Sequence, residues 1–224
     1  MKGLIARFCT NFSMLKIMTV SRQLSNALLV TLLTAVLLFI GSYTMGKYPF
    51  FLLLNSNGGT WLDKIFLGWT YLGDGWMWVL VVILTAYFQR KKLLLVLCCI
   101  AVSTILAQGG KHLLFPDELR PAADPKELPA IHIVPGVELH TNQSFPSGHT
   151  AAAFSIFLLA CHLIPHRSTL PIGFLLALGV GYSRIYLAQH FPIDVGAGMV
   201  VSIITIAVSL YLESIFPKKQ KYEK

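Results

Sequence analysis

The chain has 224 residues, 55% of them hydrophobic and only 12% charged, against roughly 25% charged in a soluble domain. That leaves too little polar surface to cover a water-soluble body, so soluble globular enzymes and binding domains are excluded. Of the four cysteines, Cys9, Cys98, Cys99 and Cys161, three lie inside apolar runs and none has disulfide or metal spacing, so they read as small packing residues.

The first 24 residues form a basic segment. Lys2, Arg7, Lys16 and Arg22 interrupt the apolar residues, and no small-residue cleavage site precedes the first long run. Leu4, Phe8, Phe12, Leu15 and Met18 fall at helical spacing, which predicts an interfacial helix over residues 3–20. A helix needs about 20 apolar residues to cross the hydrocarbon. Ser25–Met45 is the first candidate. Leu72–Phe88 is shorter and borrows from the apolar stretch around Trp61–Tyr71, where Trp61, Trp69, Trp76 and Trp78 suit the headgroup level. Leu93–Leu114, Thr150–Ile164, Leu170–Leu187 and Ile193–Phe216 follow. The predicted fold class is therefore all-α, a six-span transmembrane bundle over residues 25–216, with an outer loop at 115–149 and a basic tail at 217–224. There is no internal repeat.

Six spans put both termini on one side. That side carries twelve basic residues and two acidic ones, whereas the other carries six basic and eight acidic. The positive-inside rule makes the first side, with both termini, cytoplasmic and turns the loop 115–149 outward. Topology accounts for the net charge of +8, and nucleic-acid binding is not needed to explain it.

Parity then gathers the polar groups of the span ends on the outer face. Lys111 ends the third span, and Pro146, Ser147, Gly148 and His149 open the fourth. Ser183 and Arg184 end the fifth, while His190 and Asp194 open the sixth. Ionisable groups at membrane depth are costly and mark function. Pro146 stops the loop from extending the helix backward, Ser147 is an N-cap, and Gly148 allows close approach to the backbone. A helix N-terminus so arranged suits a phosphate, with His149 beside it to give a proton; an ordinary Ser-capped helix is the alternative. Asp194 follows His190 by four residues. If the chain is helical there, the carboxylate reaches one imidazole nitrogen and leaves the other free as a base or a nucleophile. Arg184 offers a planar fork for two phosphate oxygens, and Lys111 and Arg120 add charge.

These residues resemble the three signature motifs of the type 2 phosphatidic acid phosphatase superfamily of integral-membrane lipid phosphatases. Pro146–His149 matches the PSGH motif in full, and Ser183, Arg184, His190 and Asp194 match the third motif in full. In the first motif, a lysine and an Arg-Pro pair are separated by six residues; here eight separate Lys111 from Arg120-Pro121. The resemblance implies a two-step hydrolysis with no metal and no other cofactor. His190 attacks phosphorus, Asp194 orients it, and His149 protonates the leaving oxygen and then activates water. Lys111, Arg120, Ser147, Gly148 and Arg184 hold the phosphate. The implied partners are the bilayer and a lipid phosphate substrate, with no nucleic acid and no obligate protein partner. The chain's size and simplicity point to a bacterial inner membrane, and the charge topology turns the site to the periplasm or exterior. Undecaprenyl diphosphate, phosphatidylglycerophosphate, phosphatidic acid and lipid A phosphates are all candidate substrates by resemblance.

Three other readings compete. An intramembrane serine protease would use Ser147 with a histidine, but a peptide carbonyl needs no clamp of three cations. A non-catalytic lipid-binding or transport protein would not need the complete His–Asp–His set. A metalloenzyme would draw on His132, His140 and the loop acids, whose spacing is not diagnostic. The loop reads as a solvated lid, with His132, His140, Asn142 and Gln143 solvating it.

Overall fold

A computed structural model describes residues 21–215, so the expected interfacial helix over 3–20 and the basic tail at 217–224 lie outside the described residues. All regular structure among them is helical. The first helix, α1 (Arg22–Met45), is capped by the Ser21 hydroxyl, which accepts from Leu24 N. It ends at Gly46, whose φ of 90° only glycine adopts readily. A short helix then follows that sequence reading did not foresee, α2 (Lys47–Leu54). Its eight residues are too few for periodicity to reveal.

The expected span Leu72–Phe88 is a bent pair. Helix α3 (Gly59–Trp69) runs into a 3-10 turn at Thr70–Gly73, and α4 (Trp76–Phe88) leaves it at 56°. Gly73-Asp74-Gly75 explains the break, since each of the three is a poor helix former. Helix α5 (Leu93–Gly109) continues into a π turn at Gly110–Leu114. Then come α6 (Gly148–Leu163), α7 (Thr169–Tyr186) and α8 (Pro192–Ile215).

Four of these elements are long and apolar enough to cross a membrane: α1, Arg90–Leu114, α7 and α8. The bent pair makes a fifth. At 16 residues α6 is shorter, yet it is buried along most of its length. Large apolar side chains point outward elsewhere, with Leu37, Val79, Ile83, Ile105 and Leu175 all more than half exposed. Apolar surface on that scale marks a membrane-facing body; this is an integral membrane protein.

Small residues let the central helices approach closely. A β-carbon on Gly198 of α8 would stand 2.6 Å from the Ser147 carbonyl oxygen, so only glycine lets α8 touch the start of α6. At one end of the bundle Gln23 donates to the Ile164 carbonyl, Gln89 donates to the Leu163 carbonyl, and Lys92 pairs with Glu213. The start of α1, the end of α4, the start of α5 and the ends of α6 and α8 therefore share that end. The polar span ends lie at the other.

Candidate active site

Two turns bring the third motif together. Helix α7 ends in a Schellman turn: Gln189 N donates to the Arg184 carbonyl (2.9 Å) and Ala188 N to that of Ile185 (3.0 Å). Ala188 takes the left-handed position, at φ 54°, where glycine is usual. His190 N also donates to the Arg184 carbonyl (3.1 Å). The five-residue gap between Arg184 and His190 is thus the length of one helix-ending turn. The next helix begins at once. Asp194 is its third residue, and its Oδ2 accepts from Phe191 N at 2.9 Å, half of a capping box. The stretch at His190 is therefore a turn, so the condition of a shared helical face is not met. The imidazole and carboxylate still meet, because the cap folds Asp194 back.

They meet loosely, with His190 Nδ1 3.5 Å from Asp194 Oδ2. Ser144, which the motifs omit, stands between them; its hydroxyl donates to Asp194 Oδ2 at 2.5 Å and lies 3.5 Å from His190 Nδ1. His190 is 1% exposed and Asp194 is fully buried. Tyr48 and Phe51 of α2 pack edge-on against Phe191, with ring centroids at 4.9 and 5.5 Å. The unforeseen helix thus supports the turn that carries His190.

The cations are fixed by groups that lie mostly outside the motifs. Arg120 donates through Nε to the Asn142 carbonyl (2.9 Å) and through Nη1 to the Gln189 carbonyl and Oε1 (3.1 and 3.2 Å). Arg184 donates through Nη1 to the Thr70 hydroxyl at 2.7 Å. Lys111 comes from the π turn, where Phe115 N reaches back five residues to the Gly110 carbonyl. A β-carbon built on Gly148 would lie 4.0 Å from Lys111 Nζ, so the ammonium hangs over the start of α6. Burial first, and then the charges of Arg120, Arg184 and Lys111, hold the His190 imidazole well below its ordinary titration range. Burial likewise lowers Arg120, partly offset by Asp194.

Ser147 caps α6. Its hydroxyl accepts from Thr150 N (3.5 Å) and from the Thr150 hydroxyl (2.9 Å), and the side chain is fully buried. Ser147 N donates to the Asp194 carbonyl (3.0 Å), which ties the second motif to the third. A serine so occupied is poorly placed as a protease nucleophile. His149 does not stand alone either: its Nε2 lies 2.5 Å from Asp74 Oδ1.

The outer loop corrects the expectation of a solvated lid. Arg120, Ala122, Ile131, Val134 and Ser144 are buried. His132 pairs with Asp63 (2.9 Å), and its N–H donates to Asn55 Oδ1 (2.7 Å). His140, Asn142, Gln143 and Arg120 line an open polar cavity of about 470 Å³. All eight expected site residues lie at the same end of the bundle. Motif reading missed Ser144, Thr70, Gln189 and Asp74. The first three are uncharged and carry no spacing signal. Asp74 carried one: a carboxylate between two glycines in an otherwise apolar run.

A family model for the PAP2 superfamily matches residues 92–216. Phosphatidylglycerophosphatase B of Escherichia coli is 44% identical over 75 residues, which is 32% of this chain, and the chain spans only 30% of that relative's length. An undecaprenyl-diphosphatase of Sulfolobus acidocaldarius is 26% identical over 172 residues, covering 76% of this chain and 80% of its own. The crystal structure of Aquifex aeolicus LpxE superposes with a TM-score of 0.63 at 31% identity, covering 72% of this chain and 92% of that one.

Proposed function

The chain belongs to the PAP2 superfamily, and from that premise we propose that it hydrolyses the phosphate ester or diphosphate of a membrane lipid without a metal ion. One observation carries the reading. The buried His190 imidazole has one nitrogen turned to Asp194 and Ser144, and burial together with the charges of Arg120, Arg184 and Lys111 holds its titration well below the ordinary range, which favours the neutral form. A neutral imidazole in a cationic cup is a nucleophile for an anionic phosphorus centre. The same cations stabilise the charge on the equatorial oxygens as the phosphoryl group transfers.

In the first step the second nitrogen of His190, Nε2, bonds to phosphorus as the lipid oxygen departs with a proton from His149. Asp194 supports the positive charge that His190 acquires. In the second step His149 takes a proton from water, whose oxygen displaces His190. Lys111, Arg120, Arg184 and the Gly148 N–H hold the phosphate oxygens, while Ser147, whose own N–H is taken by the Asp194 carbonyl, caps the helix beside them. The Ser147 hydroxyl is engaged by Thr150 as a cap, so a serine-protease mechanism has no support. The names of the relatives include monoester and diphosphate lipids, and the substrate class extends over both.

The chain crosses a bacterial inner membrane six times, with both termini cytoplasmic and the site on the outer face. The charge asymmetry of the sequence supports this orientation, and α6 counts as a crossing because it starts at Gly148, next to His149 in the site, and ends at Leu163, which accepts from Gln89 at the opposite end of the bundle.

The test is phosphate release from a panel of lipid phosphates and diphosphates in the presence of a chelator, with wild type and His190→Ala side by side. The expected result is chelator-resistant turnover in the wild type and its loss in the variant. Turnover that vanishes with chelation, or persists undiminished in His190→Ala, contradicts the reading.

A further inference from the structure

The break between α3 and α4 touches the site three times within five residues. Thr70 accepts the Arg184 guanidinium at 2.7 Å. A β-carbon on Gly73 would lie 2.9 Å from the His149 carbonyl oxygen, so this backbone is in close contact with the start of α6. Asp74 places Oδ1 2.5 Å from His149 Nε2. The Trp69 indole donates to the Leu176 carbonyl at 3.0 Å and pins the break to α7. None of these residues belongs to the three motifs, and all lie before residue 92, where the family match begins.

We propose that Asp74 is a positioning residue for the proton shuttle, holding the Nε2–H of His149 so that Nδ1 faces the oxygen that leaves phosphorus. The proposal rests on the phosphatase reading above. An imidazole presents one nitrogen to its orienting partner and the other to its substrate, and the orienting carboxylate selects the tautomer. With Nε2 engaged, Nδ1 is the nitrogen left for chemistry. As the P–O bond to the lipid breaks and the bond from His190 to phosphorus forms, the Nδ1 proton passes to the departing oxygen. As water's oxygen bonds to phosphorus and the P–N bond breaks, a water proton returns to Nδ1. Asp74 stays a carboxylate and Nε2 keeps its proton throughout.

The carboxylate has a second task. Lys111, Arg120, Arg184 and His190 all lie within electrostatic reach of His149, and Arg184 is also within reach of Asp74. A carboxylate beside His149 stabilises the imidazolium that carries the proton between the two steps.

The experiment uses the purified full chain in detergent and two substrates. One is an alkyl lipid phosphate, whose leaving oxygen needs a proton; the other is nitrophenyl phosphate, whose leaving group does not. Wild type, Asp74→Asn, Asp74→Glu and His149→Ala are compared, with orthovanadate inhibition as the check that the phosphate site is intact. In Asp74→Asn, kcat on the alkyl substrate is expected to fall about 10- to 100-fold. The fall on the aryl substrate is several-fold smaller, and the basic limb of the pH profile moves to lower pH. Asp74→Glu recovers part of the loss, and His149→Ala shows the same alkyl-over-aryl bias. Equal losses on both substrates, or an unchanged alkyl rate and pH profile, overturn the proposal. If Asp74→Asn loses vanadate inhibition, the same comparison is read from Asp74→Glu. His190→Ala tests the phosphatase reading separately, so its failure is not confused with failure of the Asp74 assignment.

Discussion

His190 sets the pH behaviour of the site. Its folded-state titration is pushed down, first by burial and then by three cations, so it stays unprotonated below the ordinary value of about 6.5. The acid limb of kcat/KM that belongs to this group therefore lies below about 6.5. Arg120→Gln removes one of the cations and should move the limb of the residual activity to higher pH; a limb that stays put or moves down contradicts the assignment. The same shift carries a stability consequence. A histidine whose folded-state value is depressed contributes stability that is complete above the unfolded value and is lost as pH falls from there toward the folded one. Thermal stability in detergent should accordingly fall as pH drops below about 6.5, and His190→Gln should flatten that dependence. Ser144 offers a second check. Its hydroxyl sits on Asp194 at 2.5 Å, so Ser144→Ala leaves a buried carboxylate short of a donor, which costs about 1–3 kcal/mol and lowers kcat more than it raises KM. A stability and kcat equal to wild type would show that Ser144 is a bystander. At this scale the sequence exposed every charged group that carries a motif, because charge inside an apolar chain is conspicuous. Ser144, Thr70 and Gln189 stayed hidden, since an uncharged hydroxyl or amide becomes a site residue only when the fold decides what it faces.

Helix ends, more than helix middles, build this site. The Schellman turn after α7 sets the distance from Arg184 to His190, and the capping box of α8 folds Asp194 toward the imidazole. The turn uses alanine at the left-handed position, which costs an L-residue roughly 1–2 kcal/mol. Ala188→Gly should therefore raise thermal stability by about 1 kcal/mol with activity retained; a loss would mean the Ala188 methyl is needed for packing. Close approach of α8 to α6 depends on Gly198, where a β-carbon would meet the Ser147 carbonyl at 2.6 Å. Gly198→Val should cost about 1–3 kcal/mol and most of the activity. Gly109→Ala, where a β-carbon meets nothing within 4 Å, should be tolerated, and equal effects of the two would sink the packing account. The long apolar helices were legible from the sequence to within a few residues. The short α2 and the break at Gly73–Gly75 were not, because eight residues have no decisive period and a bend is set by what packs on either side. A shared helical face was only one condition under which His190 and Asp194 could meet; the cap of α8 brings them together instead.

Across the whole molecule, the account depends on orientation. The cytoplasmic assignment of the end that carries Arg90–Lys92 is testable by single cysteines in a chain lacking its native ones. Asn142→Cys in the outer loop should react with a membrane-impermeant thiol reagent on intact cells, and Lys91→Cys only after lysis; the reverse pattern would put the site in the cytoplasm. The central chemical claim is that phosphorus passes through His190 on its way to water. The most direct measurement is the configuration at phosphorus after hydrolysis of a lipid phosphorothioate made chiral with oxygen isotopes. Two in-line displacements, one by His190 and one by water, predict net retention. Inversion would mean that water attacks the lipid phosphate directly, and the phosphohistidine would have no place in the reaction.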